Sequence, residues 1–340
     1  MTVAIGILSL RDDLHALAVK SKIEQRHHAR CHIFAGKELA TLGGLSWSGD
    51  ADAPSVLRDL DGELVEPSGL DAIWYRRLGR QQLIPEAADP KYTAEIDAAC
   101  WTALQGHLLT EFRGCWVSDP EATELAGNKL VQLRAARRAG LRIPATLVSQ
   151  DPARIRQFCS AHPGAIIKPV RTRGDLAVTA VVSAELLAND DVLRLVPSIY
   201  QENIPGTRHL RITMFGNHCH AAMIEAQELD WRLDVSVPFS VYQPSAQLRT
   251  ALHGILRSLG LVMGIFDLKL TPDNDVVFFE VNPQGQFLFV EGLCGLPLAD
   301  AFTDYLVDQA RQYAARRGRR AEARPSSPPL DEVQISLPAT

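Results

Sequence analysis

The chain has no long apolar run, no strong net charge and no paired cysteine motif, and each absence narrows what it can be. Its N-terminal apolar stretch, residues 1–10, stops at Arg11, Asp12 and Asp13. That is too short to span a bilayer and has no small-residue cleavage site, so neither a membrane span nor a signal peptide is expected. Net charge is −5 over 340 residues, which gives no general affinity for polyanions, and no nucleic-acid partner is expected. Cys31, Cys100, Cys115, Cys159, Cys219 and Cys294 show no CxxC spacing. They read as reduced core residues of a cytoplasmic protein. None has the His and Asx companions of a nucleophilic cysteine. Neither GxxxxGK[ST] nor a GxGxxG after a strand occurs, which excludes a Walker loop and a dinucleotide fingerprint. There is no internal repeat.

What the chain does have is 46% hydrophobic residues, enough for two or three domains with substantial cores. The most informative stretch is residues 264–287, GIFDLKLTPDNDVVFFEVNPQGQF. It reads as two strands joined by a turn at Pro272, Asp273, Asn274 and Asp275. Strand side chains alternate faces, so Glu280 and Asn282 point the same way. A four-residue loop sets Asp267 directly across from Glu280, whereas a five-residue loop puts the two carboxylates on opposite faces. Two carboxylates and an amide oxygen converging at a strand end make a hard, all-oxygen site suited to Mg²⁺. A solvated acidic hairpin explains Asp267 as well, but an acid within Val-Val-Phe-Phe is costly unless paired or metal-bound.

Strands alternating with helical stretches over residues 1–115 predict an open, largely parallel α/β domain. Strands are expected over 2–9, 31–35 and 71–77, with Asp12 or Asp13 capping a helix that runs to about His28. Ligands sit at the carboxyl ends of such strands, where Arg76 and Arg77 either face a ligand or form a surface basic pair. A second unit is expected over 116–200. It carries Asn128 and Lys129 on a helix, and Lys168 inside the apolar strand AIIKPV, where a lysine must snorkel, pair or bind an anion. The basic loop 171–175, RTRGD, suits a flexible cover over phosphates. A third unit is expected over 201–315; a strand over 198–204, SIYQENI, runs across its start, and a Gly-Asn hairpin follows. His218 and His220 share a face of that hairpin, as a zinc pair or, the favoured reading, as ordinary strand histidines. Trp231 and Arg232 lie in a loop that suits substrate contact. Residues 316–340 are basic and then Pro/Ser-rich, and are expected to be disordered.

In order and spacing, WYRR, Asn128-Lys129, IIKPV, YQENIPG, LRI, DWR and FFEVNPQGQF resemble the ATP-grasp ligases over roughly residues 115–310. Residues 1–115 resemble the α/β domain that precedes the grasp. The strings are similar to those of the graspetide (microviridin-type) ligases, which join side chains within a ribosomally made precursor peptide. The resemblance implies an α/β (α+β) chain with a two-lobed ATP-grasp fold and ATP and Mg²⁺ as cofactors. Lys129 and Lys168 would hold the ATP phosphates. Gln201, Glu202, Asn203 and Ile204 would form the adenine hinge, with Glu202 and the backbone around Asn203 and Ile204 reading the base. His209 stands where that family usually places an acid on the ribose hydroxyls. Arg211 would lie on the γ-phosphate or the acyl phosphate, and Asp267, Glu280 and Asn282 would hold Mg²⁺. Phosphorylation makes a carboxylate electrophilic, and attack by a hydroxyl or amine passes through an oxyanion for which Arg211 or Arg232 is the candidate donor. The partner implied is a precursor peptide, met by Arg76, Arg77, Trp231 and Arg232. A ligase for a free small carboxylate, resembling glutathione synthetase or a glutamate ligase, would share the ATP site. An ATP-binding module without turnover would need fewer carboxylates. Ester against amide product, and a homodimer, stay open.

Overall fold

The structure, a computed structural model, describes residues 2–50, 53–77, 79, 81–170, 179–229, 231–233 and 236–322, and among them the chain builds three principal sheets and a two-stranded ribbon. In chain order the first unit runs β1 (Ala4–Ser9), α1 (Leu14–His27), β2 (Arg30–Ala35) and α2 (Leu39–Leu42). The ribbon β3 (Leu57–Arg58) and β4 (Leu64–Val65) follows, then β5 (Ala72–Tyr75), α3 (Thr93–Glu111) and β6 (Cys115–Val117). Strand order is β2-β1-β5-β6, with every neighbouring pair parallel. The apolar runs of β1 and β5 are continuous because both faces are covered. Ile5, Ile7 and Trp74 pack toward α1, while Leu8 and Ile73 pack toward Leu104 and Leu108 of α3. Asp13 caps α1 by accepting from His15 N at 3.0 Å. The fourth strand carries this sheet past residue 115, to Val117.

Two capped helices come next, α4 (Pro120–Ala126) and α5 (Lys129–Arg138), with Asp119 and Asn128 as their N-caps. The second sheet holds β7 (Thr146–Ser149), β8 (Ile166–Pro169), β9 (Ala180–Val181) and β10 (Ser198–Gln201) in the order β7-β10-β8-β9, all antiparallel. It packs on α6 (Pro152–Ala161), α7 (Ala184–Ala188) and α8 (Asp190–Leu195) around Ile155, Leu193 and Tyr200. The strand expected over 198–204 ends at Gln201, so Glu202 to Ile204 are irregular chain.

The third sheet has the order β13-β12-β11-β14-β15. Its strands are β11 (Arg208–Phe215), β12 (His218–Glu225), β13 (Phe239–Tyr242), β14 (Met263–Leu270) and β15 (Val276–Asn282), with α9 (Ala246–Ser258) on one face. Helices α4 and α5 share its core: Ala126, Leu133 and Ala136 pack with Leu252, Phe266 and Phe278. By packing they side with the third sheet, although the sequence grouped them with the second. The chain closes with α10 (Leu288–Cys294) and α11 (Leu298–Glu322). Helix α11 returns to the first sheet, placing Phe302, Leu306 and Ala310 in one core with Trp74. It continues through residues 316–322, which were expected to be disordered, and Arg317 reaches Asp71 at 3.2 Å. The rest of that tail, 323–340, lies outside the described residues. No described helix is long and apolar enough to cross a membrane.

Candidate active site

The loop between β14 and β15 spans 271–275, one residue longer than the sequence suggested, closed by Thr271 N donating to Asp275 O at 3.0 Å. Left alone, that loop would set Asp267 against Phe279. The ladder instead runs Leu270 to Val276, Lys269 to Val277 and Leu268 to Phe278, then slips by one so that Asp267 meets Glu280. Phe279 is the extra residue of a β-bulge. Phe278 is fully buried in the core, while Phe279 and Glu280 both line one cavity. The carboxylates therefore face each other as expected, by a route the spacing did not reveal.

Strand β15 is an edge, and α5 covers it through Gln132. The buried amide donates to Val281 O at 2.8 Å and Ala126 O at 2.6 Å and accepts from Val281 N at 3.0 Å. This satisfies strand groups that would otherwise be orphaned and fixes the start of α5. There Lys129 Nζ lies 3.0 Å from Glu280 Oε2. From the second sheet, Lys168, paired in register with Ile199, enters the same cavity. Burial, helped by the Lys129 and Arg232 cations, pushes Lys168 down to about 8 against the pull of Glu280. Burial works to raise Glu280, but Lys129, Lys168 and Arg232 together hold it below the usual range. Asp267 goes the other way: burial and the neighbouring Glu280 raise it against Arg211. Two facing carboxylates are thus driven apart in acidity within one cationic cleft.

The cavity also takes in Gln201, Glu202, Asn203, Ile204, His209 and Arg232. Two of the hinge side chains are tied to neighbouring chain. Gln201 Nε2 donates to Thr146 Oγ1 at 2.9 Å. Glu202 accepts from Arg142 Nη2 at 3.2 Å and from Ala145 N at 3.0 Å. Each Glu202 oxygen thus holds one protein partner and keeps a further lone pair. Sequence reasoning missed Ile166, Leu268, Lys269 and Phe279, which line the cavity. Their only signal was position beside a predicted site residue on a strand.

Arg211 and Asn282 are not in this cavity. They line a second one of about 700 Å³, with Arg76, Arg77, Gln284 and Phe289; Trp231 and Arg232 border both. Arg211 grips Asp267 with Nη1 at 2.8 and 3.1 Å, donates to Gln286 O at 2.8 Å, and lies over Trp231 and Phe289 at 5.7 and 5.3 Å. Asn282 Nδ2 is 3.5 Å from Asp267 Oδ2. Arg77 is exposed at the cavity, whereas Arg76 is a buried strut. It donates to Asp13 at 3.1 Å, to Gly285 O at 3.1 Å and to Gln284 O, and burial lowers it to about 10. Among the described residues His218 and His220 gather no third ligand. Among the described residues the group that could hold a metal by His, Cys, Asp or Glu is His32, Asp59 and Glu63. The loop 171–175 and Asp230 lie outside the described residues. Asp267, Glu280 and Asn282 offer a hard oxygen set, and that chemistry fits Mg²⁺.

No family model matches the chain, and no curated relative does either. Solved structures do. The macrocyclase MdnC bound with precursor peptide MdnA, from Microcystis aeruginosa MRC, is 26% identical with a TM-score of 0.82, covering 90% of this chain and 100% of that one. A RiPP-associated ATP-grasp ligase from Chryseobacterium gregarium, in complex with ADP and a leader and core peptide, is 22% identical with a TM-score of 0.81, covering 91% and 97%. The ATP-grasp ligase PsnB, complexed with minimal precursor, Mg and ADP, is 20% identical with a TM-score of 0.69, covering 90% and 98%. The chain has the ATP-grasp ligase fold, and its structure is similar to those of graspetide-type, RiPP-associated ATP-grasp ligases.

Proposed function

We propose that the protein is an ADP-forming ligase that activates Asp or Glu side chains of a ribosomal precursor peptide and joins them to hydroxyl or amine side chains of the same peptide, as macrocyclic ω-esters or ω-amides. One observation carries the reading. Asp267 and Glu280 face each other in a cleft with Lys129 and Lys168, and Trp231 and Arg232 join that cleft to a cavity bearing Arg76, Arg77 and Arg211. A polyanion suits the first space and acidic peptide side chains suit the second.

Lys129 and Lys168 hold the nucleotide phosphates, and the main chain of Glu202 to Ile204 meets the base, the side chains of Gln201 and Glu202 serving to brace the hinge. Asp267, Glu280 and Asn282 would hold Mg²⁺, which would supply neutralisation of the phosphate charge. A peptide carboxylate oxygen attacks the γ-phosphorus, the bond to the bridging oxygen breaks, and ADP leaves. A hydroxyl or amine then attacks the acyl phosphate carbon, phosphate departs and the nucleophile's proton is released. Arg211, locked between Asp267 and the Gln286 carbonyl, orients that carboxylate from the peptide side. Arg232, bordering both cavities, is the donor to the oxyanion. Six free cysteines suit the cytoplasm as the compartment.

The test is the precursor candidate incubated with ATP and Mg²⁺. Each bond formed lowers the peptide mass by one water. Lys168→Ala or Glu280→Ala should abolish product by at least about 10²-fold with the circular dichroism spectrum retained. Turnover of free amino acids in place of peptide would replace this reading with the small-substrate one.

A further inference from the structure

We propose that Lys269 recognises the sugar of the bound nucleotide, standing with His209 where the resembling ligases usually place an acid. The inference rests on the nucleotide site proposed above and adds to it the part that distinguishes one nucleotide from another.

Lys269 is 6% exposed, and its Nζ donates to the Ile204 carbonyl at 2.9 Å. An ammonium has three donors, so two remain after that bond. Burying an ammonium is costly while any of its donors lacks an acceptor. Its side chain lines the cleft that holds Lys129, Lys168 and Glu280.

The strand register fixes its place along that cleft. His209 pairs with Lys269 across β11 and β14, and Arg211 pairs with Asp267. Alternation puts both pairs on one face, separated by roughly 7 Å along the strands. Phosphates held at Asp267 and Glu280, and a base held at Glu202 to Ile204, leave the sugar between them, opposite His209 and Lys269. Lys269 also ties down the Ile204 carbonyl, so the residue that meets the sugar sets the hinge that meets the base. An acid at this point would accept hydrogen bonds from the sugar hydroxyls. An ammonium instead donates to their oxygens, so recognition here reverses the direction of the hydrogen bond.

Calorimetry of the full chain with Mg²⁺ and ATP, 2′-deoxyATP or 3′-deoxyATP tests this without a peptide. The wild type should bind ATP about tenfold or more tightly than at least one deoxynucleotide, since a buried donor left unpaired penalises the analogue that lacks its acceptor. Lys269→Met should weaken ATP about tenfold and bind ATP and that deoxynucleotide alike. Equal binding of all three by the wild type overturns the assignment. So does a Lys269→Met variant that weakens all three by one factor, because that is a hinge brace and nothing more. Should that variant not fold, Lys269→Gln, polar but too short for the sugar, replaces it, and unchanged discrimination again overturns the assignment. No Mg²⁺-dependent uptake of any nucleotide by the wild type removes the nucleotide site itself, which is a separate result.

Discussion

Asp267 and Glu280 face each other across β14 and β15 with Phe279 carried as an extra residue beside them. The five-residue loop and the bulge offset one another, so one irregularity corrects the register and also delivers Phe279 to the cavity. Bulges commonly re-aim a side chain next to a site in this way.

That pairing makes an uncommon prediction for a deletion inside a strand. Removing one residue normally turns everything beyond it to the wrong face. Removing one of Phe278 and Phe279 should instead straighten the ladder, leave the remaining Phe in the core and keep Glu280 opposite Asp267. Mg²⁺-dependent nucleotide binding should survive, weakened by about tenfold through the lost apolar contact. Calorimetry on the deletion variant checks this; complete loss with an intact circular dichroism spectrum would contradict the register.

His15 supplies a pH dependence of stability. Its Nε2 accepts from Phe287 N at 2.9 Å and Leu288 N at 3.2 Å, anchoring the turn that follows Asn282. Only the neutral ring can accept. Burial lowers its pKa from 6.5, Arg76 and Arg77 push the same way, and Asp13 opposes them. A depressed value means the unfolded chain takes the proton first. The stabilisation is therefore present above about pH 6.5 and is lost as the pH falls through the folded value. Thermal melts should show stability dropping between pH 7.5 and pH 5. His15→Gln should cost about 1–3 kcal/mol at pH 7.5 and flatten part of that slope.

The position of a C-terminal truncation should matter. A chain ending at Glu322 keeps all of α11 and should match the full chain in both stability and peptide processing. A chain ending at Ala315 loses Arg317, which pairs with Asp71 at 3.2 Å and lies over Tyr313 at 5.8 Å. Arg317 is half-exposed and Asp71 buried, so the cut leaves a buried acceptor without this partner and should cost about 1–3 kcal/mol, read as a lower melting temperature with turnover unchanged. A loss of peptide binding in the shorter of these cuts alone would assign the basic end of α11 to docking.

Much of the site could be read from local pattern. Period-two alternation placed Asp267, Glu280 and Asn282 at a strand end, an apolar strand made Lys168 conspicuous, and Asp12 or Asp13 marked a helix start, because strand faces and caps depend on residues within a few positions of one another. Tertiary structure decided the rest. Gln132 meets Val281 across 149 residues, Lys269 meets Ile204 across 65, and Arg76 meets Gly285 across 209. The Arg76 bonds make it a buried strut, where the sequence left a ligand-facing residue and a surface basic pair equally open, and α11 runs on through residues 316–322 against the first sheet. The physical reason is range. Backbone preference and side-chain period act between neighbours in sequence, whereas burial and the partner of a charge are settled only when separate segments close on one another and expel water.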